Sequence, residues 1–135
     1  MLFVTKNEDI AVIAAIHREA LPHLKWSYDK KYLRKMIGFP ECLCWTVKVR
    51  GKIIGSLHYY IEREFTLNAI AISREYRGRG YGKRIMRWVE LMAKWYGYQS
   101  VYLWSLDNCI EYYEALGYER VKKSGKWTEM KKILK

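Results

Sequence analysis

Hydrophobic positions along this chain follow two rhythms. Leu43 to Arg50, Ile53 to Ile61 and Phe65 to Ile72 carry alternating or short continuous apolar runs, the mark of half-buried strands. Gly51-Lys52 and Glu62 to Glu64 separate them as turns, which predicts an antiparallel meander. Ahead of it, Leu2 to Thr5 reads as a short strand. Ile10, Ile13, Ala14, Ile16, His17 and Ala20 then recur at helical spacing until Pro22 stops the helix. Thr5 and Glu8 have capping-box spacing. Trp26, Tyr32, Leu33, Met36 and Ile37 predict a second, basic helix ending at Gly38.

Beyond residue 80 the helical rhythm returns. Tyr81, Ile85, Trp88, Val89, Met92 and Trp95 mark one face of a helix over Tyr81 to about Tyr96, with Gly97 as its terminator. Ser100 to Ser105 is a strand. Asn108 and Glu111 form a capping pair for a short helix, Cys109 to Leu116, which Gly117 ends. Tyr118 to Lys123 and Trp127 to Leu134 are the last strands. The order is β-α-α-β-β-β-α-β-α-β-β.

Composition narrows the class. Half of the 135 residues are hydrophobic, enough for a core, and no linker or repeat interrupts residues 1–135. The chain therefore reads as one domain. The longest aliphatic run, Ile10 to Ile16, is too short to span a membrane. Glu8 and Asp9 before it are the wrong flank for a signal peptide, so a cytoplasmic protein with no membrane partner is expected. Cys42 and Cys44 share a strand face and Cys109 stands apart, as expected of reduced thiols. His17, His23 and His58 are scattered, so no metal site is expected; His58 could titrate near neutral pH, but a strand histidine is usually structural. The formal charge is +11. Such a surface attracts polyanions, CoA and nucleic acid among them.

The chemistry concentrates where the strand Phe65 to Ile72 runs into Arg77-Gly78-Arg79-Gly80-Tyr81-Gly82-Lys83. A glycine turn at a helix N-terminus offers free N–H groups and partial positive charge, a site for phosphates. It is not a Walker A loop, because Arg84 follows Gly82-Lys83. Nor is it the dinucleotide fingerprint, because the glycines are spaced two and two. Arg77, Gly80 and Gly82 do fit Arg/Gln-x-x-Gly-x-Gly/Ala. Here the chain resembles the GCN5-related N-acetyltransferase (GNAT) family. Tyr113-Glu114-Ala115-Leu116-Gly117-Tyr118 resembles the family's Tyr-x-x-x-Gly-Phe, one strand and one helix later. The element order matches end to end.

The resemblance implies an α/β (α+β) fold, with a mixed, mostly antiparallel sheet of six to seven strands flanked by four helices. It implies acetyl-CoA as donor and a primary amine as acceptor. Backbone groups of Ile70, Ala71 and Ile72 would pair with pantetheine. The N–H groups from Gly78 through Tyr81 to Gly82 would hold the pyrophosphate, with Arg77 in the Arg/Gln position and Arg79 and Lys83 adding charge. Tyr113 would sit beside the sulfur and protonate the departing thiolate. The strand Glu found in some relatives is Thr66 here, which leaves Glu64 and Glu62 as candidate bases beside a water relay. The Asn that often precedes the tyrosine by seven residues is Leu106 here, and Asn108 stands two residues nearer.

Direct attack of a neutral amine on the thioester needs no covalent enzyme intermediate. Positioning the reactants can supply about 7–11 kcal/mol of the barrier reduction in favourable systems. Trp26, Tyr28, Tyr59, Tyr60 and Trp127 are candidates to shape the acceptor pocket. The acceptor could be a small molecule, a protein N-terminus or lysine, or aminoacyl-tRNA, and a homodimer is conceivable. A basic nucleic-acid-binding domain and a catalytically silent CoA binder are the alternatives.

Overall fold

A computed structural model describes residues 1–135. Its elements are β1 (Leu2–Val4), α1 (Ile10–Ala20), α2 (Lys30–Met36), β2 (Cys42–Val49), β3 (Lys52–Ile61) and β4 (Phe65–Ile72), followed by α3 (Tyr81–Trp95), β5 (Ser100–Leu106), α4 (Ile110–Ala115), β6 (Glu119–Ser124) and β7 (Trp127–Ile133). The seven strands form one sheet in the order β1-β2-β3-β4-β5-β7-β6. Every neighbouring pair is antiparallel except β4 with β5, which is parallel. The predicted meander is therefore present, and the sheet is mixed through one pair alone.

The strand period of two sends alternate residues to opposite faces. On β3, Leu57 and Tyr59 join Ile85, Met86 and Val89 of α3 in the larger apolar core. Each such buried side chain contributes about 1.5–3 kcal/mol. Ser56 and His58 face the other way, toward His17 of α1. That second layer has a small apolar cluster, Ile10, Ile13, Ala14 and Leu33, beside a buried polar one. His17 and His58 both bond Ser56, and the Cys44 thiol lies 3.7 Å from His58 Nδ1. Burial pushes His17 down to about 4 and His58 down to about 3. Both rings are neutral at physiological pH, so His58 is a buried structural histidine and does not titrate near neutrality.

Several local expectations are corrected as well. Thr5 does not cap α1. Its hydroxyl pairs with Thr46 at 2.9 Å, and the turn before α1 closes through Lys6 N–H donating to Asp9 at 2.9 Å. The second helix is split. Lys25–Tyr28 form a 3₁₀ turn, and Asp29 caps α2 by accepting from the N–H groups of Lys31 and Tyr32. Trp95 does not join the core: it is 77% exposed, whereas Met86 and Ala93 are buried. Asn108 lies within a 3₁₀ turn and does not cap α4.

Candidate active site

The site begins where β4 and β5 separate. They pair only from Phe65 with Val101 to Leu67 with Leu103. Beyond that β4 stays with β3, while β5 stays with β7 through Trp104 and Leu106. The fork coincides with a bulge. His58 pairs with Ala69 and Tyr59 with Leu67, so Asn68 is the extra residue. A bulge bends its strand and increases local twist, which turns β4 away from β5.

Two cavities fill the fork. One, about 410 Å³, is lined by residues including Leu67, Asn68, Leu106, Asn108 and Tyr113. The other, about 400 Å³, runs along Ile70, Ala71 and Ile72 to Gly78, Gly80, Gly82 and Lys83. Ala20, Leu21, Ile70, Cys109 and Tyr113 line both, so they form one elongated cleft. α1 closes it on one side and α4 on the other.

The glycine end is a cradle of free donors. Gly78 and Gly80 have φ of +73° and +86°, a conformation costly for other residues. Gly80 caps α3 without a side chain, and the helix ladder starts only at Arg84 N–H, which donates to the Gly80 carbonyl at 3.1 Å. The N–H groups of Gly78 through Lys83 find no backbone carbonyl. Arg77 is tied down: Nε donates to the Ile72 carbonyl at 2.9 Å and Nη2 to Glu19 at 2.6 Å. Arg79 lies over the Tyr76 ring, while Lys83 is exposed at the rim.

The other motif shapes α4. The Tyr113 carbonyl accepts from the N–H groups of both Leu116 and Tyr118, each at 3.0 Å. That closure needs Gly117 at φ +97°, which explains the Tyr-x-x-x-Gly spacing. Lys132 bonds Glu90 of α3 and the Leu116 carbonyl, and Tyr118 also donates to Glu90, so α4 is fixed to α3 and β7. Burial, then Cys109 and Tyr112, pushes the Tyr113 phenol well above its usual pKa. It therefore stays protonated and able to donate.

Glu62 and Glu64 stand elsewhere. Both are exposed beside a shallow depression with Tyr60, Arg63, Thr66 and Asn68, and neither lines the forked cleft. Asn68 borders both places, a link that sequence reading missed because no local signal marks a bulge. Asn108 lines the cleft beside Tyr113. A third cavity, about 400 Å³, adjoins the first and is walled by Trp26, Trp104 and Trp127. Trp104 was missed as well. Tyr59 is corrected out of the acceptor set: it is buried, stacks on Phe65, and accepts from Trp45 at 3.0 Å. Tyr28 donates to the Pro22 carbonyl beside that region, and Tyr60 borders the Glu62–Glu64 depression.

A mixed seven-stranded sheet that forks beside a glycine-capped helix is the acyl-CoA N-acyltransferase fold. Solved structures match it along nearly their whole length. A PaiA N-acetyltransferase from Thermoplasma acidophilum in complex with coenzyme A has TM-score 0.86 at 16% identity, covering 98% of each chain. An aminoglycoside 6′-acetyltransferase type Ii has TM-score 0.81 at 17% identity, covering 98% of this chain and 96% of its own. The Escherichia coli ribosomal-protein-S18-alanine N-acetyltransferase has TM-score 0.82 at 16% identity, covering 99% and 93%. The chain belongs to the acetyltransferase (GNAT) family, whose sequence model matches residues 12–118. Among curated proteins, a probable glucosamine 6-phosphate N-acetyltransferase of Drosophila melanogaster is 34% identical over 77 residues. That match spans 51% of this chain and about a third, 35%, of the relative. No helix is long and apolar enough to cross a membrane.

Proposed function

We propose that residues 1–135 form one catalytic domain that transfers an acetyl group from acetyl-CoA to a primary amine by direct attack. The observation that carries this reading is the continuous cleft running from a row of unpaired N–H groups to a half-buried Tyr113 whose phenol stays protonated.

The cleft fits the donor. Its glycine end suits a diphosphate, and the β4 edge at Ile70–Ile72 offers backbone groups to an extended amide chain. Bound acetyl-CoA supplies an activated acyl carbon and a thiolate leaving group. Arg77 holds the loop against α1, while Arg79 and Lys83 add positive charge around the phosphates. Asn108 lies at the acyl end beside Tyr113. Tyr113 donates its phenolic proton to the departing sulfur, where charge develops in the transition state. Glu64 and Glu62 reach the amine only through water, past Thr66 and Asn68, in this reading.

Trp26, Trp104 and Trp127 wall the acceptor side. Apolar walls exclude water and orient a ring or aliphatic stem, which fixes the amine near the acyl carbon. The basic surface favours an acceptor bearing phosphate or carboxylate. The name of the Drosophila relative, a sugar phosphate acetyltransferase, agrees with that preference.

A second reading has one specific observation in its favour. Lys122 of β6 lies over Trp104 of β5, and Lys131 of β7 lies over Tyr102 of β5. Aromatic rings interleaved with lysines suit a single-stranded nucleic acid, either as ligand or as carrier of the amine.

Thiol release from acetyl-CoA, measured with amino sugar phosphates, peptides and aminoacyl-tRNA, tests both readings. Turnover with any of them supports the enzyme. CoA binding without turnover on the whole panel supports a silent binder. Salt-sensitive oligonucleotide binding without CoA binding supports the nucleic-acid domain.

A further inference from the structure

The three glycines of the loop are not alike. Gly78 and Gly80 are needed for positive φ, but Gly82 lies in the first turn of α3 and has none. Its requirement is space. A methyl group on Gly82 would come within 2.8 Å of the Tyr112 hydroxyl. The phenol of α4 therefore stands directly on the first turn of α3, among N–H groups that have no backbone acceptor.

Tyr112 and Tyr113 are consecutive, and their rings meet edge to face with centroids 5.2 Å apart. Tyr113 lines both cavities of the cleft, whereas Tyr112 lines only the glycine end. From sequence spacing alone Tyr112 reads as structural. It is 47% exposed, which suits a residue facing a ligand better than one filling a core.

We propose that Tyr112 is a donor-binding residue whose hydroxyl donates a hydrogen bond to the CoA diphosphate at the α3 N-terminus. This rests on the acetyl-CoA reading above. α4 then grips the donor twice: Tyr112 at the diphosphate and Tyr113 at the sulfur. Burial raises the Tyr112 pKa, with Cys109 contributing, so the phenol remains a donor at physiological pH. Gly82 is glycine so that this hydroxyl can reach the anion site.

The test uses two probes, CoA and S-acetyl-pantetheine, which lacks the diphosphate. Tyr112→Phe keeps the ring and removes the hydroxyl. The expected result is a CoA Kd raised about tenfold, as for loss of a hydrogen bond to a charged group. The Kd for S-acetyl-pantetheine, which lacks the group that Tyr112 would contact, should not rise with it. A double-mutant cycle adds a second readout. Gly82→Ala should weaken CoA binding in the wild type but weaken it little further in the Tyr112→Phe background, where the clashing oxygen is gone. Unchanged CoA affinity in Tyr112→Phe overturns the proposal. So does an equal loss with S-acetyl-pantetheine, which would make Tyr112 a packing residue. A wild-type protein that binds no CoA overturns the parent reading, and this proposal with it.

Discussion

Arg77 of the glycine loop and Glu19 of α1 meet at 2.6 Å across 58 positions of sequence. The same guanidinium donates to the Ile72 carbonyl, so it joins the end of β4 to the last turn of α1. Both elements line the cleft. The first residue of the glycine motif thus acts as a brace between β4 and α1.

A brace and a phosphate ligand respond oppositely to Glu19→Gln. A brace loses its partner, so CoA affinity should fall several-fold, as it should in Arg77→Ala. A phosphate ligand would be freed, and affinity would rise. The pair is partly exposed, so thermal unfolding should shift by no more than about 1 kcal/mol equivalent. Calorimetric titration of both variants with CoA decides between the two roles.

Tyr113→Phe retains the ring and its edge contact with Tyr118 at 5.9 Å. Single-turnover rate on a true acceptor should fall by roughly 10²–10⁴, the usual range for losing a general acid. CoA affinity should barely change. An unaltered rate would assign thiolate protonation to water, and a large loss of affinity would make Tyr113 a binding residue.

Glu62 and Glu64 sit outside the cleft, so a base at either position would act only through a relay. Glu64→Gln or Glu62→Gln should lower kcat/KM modestly, by less than the roughly 10²-fold lower limit for a directly placed base. The variant that matters should also alter the acidic limb of the pH–rate profile. Wild-type profiles in both would leave proton removal to water alone. Replacing Asn68 with Ala should produce the same modest loss, because Asn68 borders both the depression and the cleft.

The buried histidines predict acid sensitivity. His17 and His58 are held neutral, at about 4 and about 3, against 6.5 when unfolded. Below pH 6.5 the unfolded chain binds protons that the folded chain refuses, so stability falls as pH drops from 6.5 toward 4 and 3. His17 alone accounts for on the order of 3 kcal/mol over that span. Urea midpoints between pH 7.5 and 4 should fall steeply in the wild type. The fall should be shallower in a stable His17→Gln protein, which cannot take up that proton.

Much of the site was legible because its signals are local. Three glycines after a strand announce a tight turn at a helix start. The four-residue step from Tyr113 to Gly117 reflects hydrogen bonds that close within one helical turn. Thr5 and Asn108 misled for the same local reason. Capping-box spacing is an offer that a side chain declines when another partner, such as Thr46, lies across the sheet.

By itself the sequence determined the kinds of element, their order, and the glycine turn at the start of α3. Periodicity, turn residues and glycine conformation are properties of neighbours along the chain, so a strand or a capped helix declares itself without its partners. The tertiary structure alone decided that β4 pairs with β5 for three residues and then leaves it. It also placed Asn68 in the bulge, brought Glu19 to Arg77, and set the Tyr112 hydroxyl on Gly82. Register and close approach depend on what lies opposite, and residues far apart in sequence become opposite only when the sheet twists and the helices close over it.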